Sequence, residues 1–109
     1  MSETAELTAT DSVELGWSVA ISENTILGGA YLNTVGTNQF QGAAYVYTRP
    51  KNGWETTHQF TAELTSSDGM PNDQFGTSVA INGNTAVVGA ASATIGSNTS
   101  QGAAYVFGR

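Results

Sequence analysis

Apolar and polar residues alternate along Ser18-Val19-Ala20-Ile21-Ser22 and again along Ser78-Val79-Ala80-Ile81. A period of two puts Val and Ile on one face of a strand and Ser and Ala on the other, which predicts strands over 17–21 and 77–81. Thr25-Ile26-Leu27-Gly28-Gly29-Ala30 and its counterpart over 85–90 carry apolar residues on both faces, as do the runs 43–48 and 103–108. Such short runs predict strands in sheets that are packed on both sides. A fourth strand is predicted over 55–65, after Arg49-Pro50-Lys51-Asn52-Gly53, where Pro and Asn-Gly mark a turn. The first and second strands of each set join at Ser22-Glu23-Asn24 and Asn82-Gly83-Asn84. Asn82-Gly83 is a two-residue hairpin signal in which both positions take φ > 0.

The two sets of strands are copies. Gln41-Gly42-Ala43-Ala44-Tyr45-Val46 recurs unchanged as Gln101-Gly102-Ala103-Ala104-Tyr105-Val106, an offset of sixty residues. At the same offset Gly16-Trp17-Ser18-Val19-Ala20-Ile21 matches Gly76-Thr77-Ser78-Val79-Ala80-Ile81, and Gly29-Ala30 matches Gly89-Ala90. A second block, Ala5-Glu6-Leu7-Thr8, recurs as Ala62-Glu63-Leu64-Thr65 at an offset of 57. The difference of three residues falls in the loop leading into Gly16 or Gly76. An internal repeat of this length signals stacked supersecondary units.

Each unit reads as a four-stranded antiparallel sheet that cannot cover both of its faces alone. Radial stacking of such sheets gives a β-propeller, which closes with about 4–8 blades. A β-sandwich also uses eight short strands, but it gives no reason for its two sheets to match position by position. The expected fold is therefore all-β, with two propeller blades. One covers 14–66 and the other 75–109, preceded by a strand over 4–9.

From Asn72-Asp73-Gln74-Phe75-Gly76 through Val87-Val88-Gly89-Ala90, the chain resembles the FG-GAP repeat. Glu14-Leu15-Gly16-Trp17 through Gly28-Gly29-Ala30 is similar to a diverged member, and Gly-Ala-Ala-Tyr-Val fits the bacterial form. That family includes the seven-bladed head of integrin α-subunits, bacterial surface proteins and a few lectins. The resemblance implies a propeller whose faces bind proteins, sugars or other domains, and an extracellular or surface origin. It does not carry over calcium. The integrin repeats place an Asp-rich loop between the first two strands, where this chain has only Ser22-Glu23-Asn24 and Asn82-Gly83-Asn84. These are too short, and too poor in carboxylates, to give Ca²⁺ six or more oxygens.

Composition narrows the chemistry. The 109 residues hold 3 Lys+Arg against 9 Asp+Glu, a net charge of −6, and basic residues this few make no nucleic-acid footprint. With Cys 0 there are no disulfides and no thiolate chemistry. The longest nearly apolar run, Ile26 to Leu32, is too short to cross a bilayer, so no membrane insertion is expected. The opening MSETAELTATDSVEL has neither the basic nor the apolar region of a secretory signal.

Thr34-Val35-Gly36-Thr37-Asn38 matches Thr94-Ile95-Gly96-Ser97-Asn98 inside a long loop. A loop preserved in both copies makes Thr34, Gly36, Asn38, Thr94, Gly96 and Asn98 candidate ligand-binding residues, repeated around one rim. Alternatively Gly supplies positive φ while Thr and Asn close local hydrogen bonds. Asp68 and Asp73 suit a weak metal or a sugar hydroxyl, but Asp beside Gly in such a loop more often makes an Asx turn, and the first copy keeps only Asp11 there. His58 has no nucleophile-elbow motif to serve. Trp17 and Trp54 suit either sugar stacking or packing. Asn98-Thr99-Ser100 is an acceptor triplet for N-glycosylation. No catalytic residue, metal or cofactor is expected.

The order of the strands carries an expectation about assembly. Ala5, Glu6, Leu7 and Thr8 form a fourth strand with no blade before it, while the strand of Ala104, Tyr105, Val106 and Phe107 has no fourth strand after it. The expected partner is the chain itself, associating head to tail so that 4–9 completes the last blade of a neighbour. A trimer gives six blades and a tetramer eight, and the trimer is favoured for its smaller pore. The leading function is a non-catalytic binding or structural module with a protein or glycan ligand. The alternatives are a multivalent lectin, and a fragment or engineered derivative of a larger surface protein.

Overall fold

The computed structural model describes residues 2–10 and 12–108. Among the described residues seven strands form two antiparallel sheets. In the first, β1 (Ser18–Ser22), β2 (Thr25–Ala30), β3 (Ala43–Thr48) and β4 (Ala62–Leu64) lie side by side in chain order. The second holds β5 (Phe75–Asn82), β6 (Thr85–Ala90) and β7 (Ala103–Gly108). The register repeats with the sequence. Ser18 faces Gly29 as Ser78 faces Gly89, and Val46 faces Leu27 as Val106 faces Val87.

Three local expectations are corrected. The predicted fourth strand over 55–65 shrinks to Ala62–Leu64. Upstream of it, threonine hydroxyls bond to the backbone: Thr57 Oγ1 accepts the Gln59 N–H at 3.0 Å, and Thr61 Oγ1 accepts the Thr48 N–H at 3.0 Å. Those bonds compete with the ladder. The hairpin signal at Asn82-Gly83 is displaced by one residue. Asn82 ends β5 opposite Thr85, the loop is Gly83-Asn84, and φ is positive only at its first position, 57° at Gly83 and 53° at Glu23. A type I′ turn would take φ > 0 at both loop positions. Finally, β5 starts at Phe75 and carries a bulge between Phe75 and Ser78.

The main core lies between the sheets. Leu27 and Ala44 of the first sheet meet Phe75, Ala86, Val88 and Ala90 of the second, with Tyr105 and Phe107 packed against them. Phe75 is fully buried, with its ring 5.5 Å from Tyr105 and edge-on to Phe107 at 6.0 Å. Burying a side chain of this kind contributes about 1.5–3 kcal/mol. A second cluster covers the opposite face of the first sheet, where Ala9, Ala30, Ala43, Tyr45 and Tyr47 are joined by Leu7, Leu15, Ile26 and Trp54. Among the described residues no helix is long and apolar enough to cross a membrane.

Candidate functional site

The preserved loops fold alike in both copies. Val35 and Asn38 exchange backbone hydrogen bonds of 3.1 and 2.9 Å, and Ile95 and Asn98 exchange bonds of the same lengths. Gly36 and Gly96 sit at φ 60° and 61° inside these small hairpins. The amide of Asn38 donates to Gln41 Oε1 at 2.8 Å, and that of Asn98 to Gln101 Oε1 at 3.0 Å. Asn38 also donates to the Gly69 carbonyl at 3.3 Å. The candidate residues Gly36, Asn38, Gly96 and Asn98 therefore shape their own loops. Thr34 is exposed beside a cleft formed with Thr10, Asn33, Tyr45, Phe60 and Glu63, while the Thr94 N–H donates to Asp73 Oδ1 at 3.2 Å.

Asp73 is buried and also accepts the Met70 N–H at 3.0 Å, so it braces the loop before β5. The first copy does the same work from the other side of the contact. There the residue matching Asp73 is Val13, and the one matching Ala93 is Asn33. Asn33 accepts the Val13 N–H at 2.6 Å and donates to the Tyr45 hydroxyl at 2.7 Å. This exchange of a polar group between two positions was not legible from either position alone. Asp11 lies outside the described residues.

Asp68 accepts the Tyr105 hydroxyl at 2.8 Å. Burial, together with this bond to a carboxylate, pushes the Tyr105 pKa up to about 12. Both aspartates of the loop are thus held by protein donors. Among the described residues, no group of three or more His, Cys, Asp and Glu converges as a metal site would require. His58 is exposed beyond Thr57. Trp54 packs in the cluster with Leu7 and Ile26, whereas Trp17 is 59% exposed and lies 4.7 Å from the Tyr31 ring. That aromatic pair stands at the same end of the first sheet as the preserved loop, because Tyr31 is the residue after β2. The Asn98-Thr99-Ser100 triplet is exposed on the matching loop of the second copy.

The assembly residues Ala104, Tyr105, Val106 and Phe107 lie in β7, and no fourth strand lies beside β7 among the described residues. Val106 is 69% exposed. Ala5 to Thr8 run beside Thr57 of the same chain as a single parallel bridge at Leu7. Thr8 N–H donates to the Thr57 carbonyl at 2.9 Å, and Thr57 N–H to the Glu6 carbonyl at 3.0 Å. The family model of the FG-GAP repeat matches residues 1–47 and 59–107. The chain belongs to the FG-GAP repeat family. No curated protein and no solved structure matches it. Each FG-GAP match spans one leading segment plus three strands, so the sequence repeat is out of step with the sheet by one strand. The leading strand of the second repeat, Ala62–Leu64, closes the sheet made by the first repeat.

Proposed function

We propose that this FG-GAP unit is a non-catalytic binding or structural module of a β-propeller, completed by head-to-tail association of copies of the chain. The observation that supports it most directly is the open edge of β7. It carries the Ala103-Ala104-Tyr105-Val106 sequence that β3 uses to hold β4, yet Val106 is exposed. An apolar open edge is a template for pairing with another chain, and head-to-tail contacts give a ring when their rotation closes. A trimer with six blades is the favoured closure. The non-catalytic reading is supported by the loop amides and aspartates, whose polar atoms are engaged in bracing the chain.

Removing residues 1–9 tests this function. It takes away the strand that closes the neighbour's sheet and should leave unfolded or aggregated chain. An intact assembly after the deletion would contradict the proposal. Ester and glycoside substrate panels should show no turnover.

A second reading, a multivalent lectin, is favoured by the exposed Trp17 beside the half-buried Tyr31, since an open aromatic face suits a sugar ring. A glycan array with the natural chain and with Trp17→Ala tests it. Binding that the substitution abolishes would establish this reading over a plain scaffold.

A further inference from the structure

We infer that residues 4–9 are already seated where the fourth strand of a preceding blade belongs. A second copy then docks on the outer face of the first sheet by repeating the contact that the two sheets make inside one chain. This rests on the head-to-tail reading above and specifies its surfaces.

The seating follows from the 57-residue repeat. Thr61, Ala62 and Leu64 line a cleft against Ala86 and Phe107 of the second sheet. Their counterparts Thr4, Ala5 and Leu7 line one against Ile26, which matches Ala86. Leu7 also lines a cleft with Tyr47, which matches Phe107. Ala9 and its counterpart Ser66 are both buried, at 6% and 7% exposure. The segment therefore lies over its own first sheet as β4 lies over the second. The Glu6 carbonyl and the Thr8 N–H turn toward Thr57, while the Glu6 N–H donates to Thr56 Oγ1 and the Thr8 carbonyl accepts the Tyr47 hydroxyl. Alternation along an extended chain directs the backbone groups of Ala5 and Leu7 to the other edge, where they take no partner among the described residues. By the register of β3 with β4, an incoming β7 pairs Ala104 with Leu7, Tyr105 with Glu6 and Val106 with Ala5.

The faces match in the same way. Inside the chain, Phe75 N–H donates to the Gln41 carbonyl at 2.8 Å, and Gln74 N–H to the Phe40 carbonyl at 3.0 Å. A Cβ on Gly42 would strike the Phe75 backbone, and one on Gly29 would strike the Gly76 carbonyl. The repeat keeps glycine at 102 and 89, where no backbone of the other sheet approaches. Leu15 and Gly16 of a second copy would fill both places. The Leu15 N–H and the Gln101 carbonyl, which would then pair, take no partner among the described residues. The apolar surface is complementary as well. Val46, Ile81 and Phe107 line one cleft inside the chain. Their counterparts Val106 and Ile21 stand on the two outer faces at 69% and 63% exposure, while Tyr47 is buried beneath Leu7 and Trp54.

The test uses Val106→Asp and Ile21→Asp, each on an exposed side chain of a different outer face, with exposed Met70→Asp as control. Native mass spectrometry of the natural chain should show the assembly, and Met70→Asp should keep it. Each of the other two variants should be monomeric, and an equimolar mixture should give a heterodimer and nothing larger, because one sound head meets one sound tail. If Ile21→Asp assembles like the natural chain while Val106→Asp does not, the chains associate through like faces. The inference then fails although assembly stands. A folded natural monomer would remove the head-to-tail reading itself. Should either variant lose its sheet signal, the Ala5→Cys, Val106→Cys double variant decides. It should form chain-to-chain disulfides on oxidation, and an assembled double variant that forms none would overturn the register.

Discussion

Ser18 donates its hydroxyl to the Gly76 carbonyl at 2.9 Å, tying β1 of the first sheet to the start of the second. The same carbonyl occupies the space that a Cβ on Gly29 would need. A small residue and a hydroxyl thus set how closely the two sheets approach.

Gly29→Ala should destabilise the folded chain by about 1–3 kcal/mol, the usual cost of overpacking a fitted contact. Urea unfolding compared with Gly89→Ala checks this. At Gly89 the added methyl clashes only with the Ser78 hydroxyl, which can turn away. Gly89→Ala should therefore leave the sheets intact and weaken association of copies. Equal losses of stability in the two variants would contradict the distinction.

The loop amides make a graded prediction. Asn38→Ala removes two side-chain hydrogen bonds and Asn98→Ala one. At about 0.5–1.5 kcal/mol per bond, Asn38→Ala should be the more destabilising. Neither should alter binding of a ligand. Ligand binding lost with the melting temperature unchanged would show these residues to be contacts rather than braces.

Tyr105 gives a pH signature. Its folded pKa is raised from 10.0 to about 12, first by burial and then by the Asp68 carboxylate. The phenol is protonated in both states below pH 10, so its contribution to stability is complete there. Ionisation of the unfolded chain removes that contribution as pH rises from about 10 through 12. Asp68→Asn should lower the Tyr105 midpoint in a tyrosinate absorbance titration and flatten the loss of stability over that range. An unchanged titration would contradict the assigned bond.

Calcium should leave the melting temperature where EDTA leaves it. The β1–β2 and β5–β6 loops are two residues each, and Asp73 spends its oxygens on Met70 and Thr94. An ion bound only by the folded chain would raise stability. A clear rise in millimolar Ca²⁺ would redirect attention to Asp68 and Asp73.

Much of this architecture was legible because the repeat supplies two readings of each strand. Ile26 with Leu27, and Tyr45 with Val46, mark β2 and β3 at their observed bounds. The segment 55–61 misled because threonine favours strands by propensity while its hydroxyl competes for the backbone, as Thr57 and Thr61 do. The repeat marks the two loops as matching units, but only the geometry shows Asn38 and Asn98 turned onto Gln41 and Gln101. The exchange of roles between Asn33 and Asp73 depends on contacts about twenty residues apart in sequence. A local pattern could not disclose it.

The central claim is that two blades are completed by further copies of the chain. The mass of the unsubstituted 109-residue chain in dilute solution tests it most directly, by light scattering or native mass spectrometry. The expected result is three times the 11.3 kDa chain. Four times that mass would replace six blades by eight and keep head-to-tail closure. A stable, folded monomer would contradict the account.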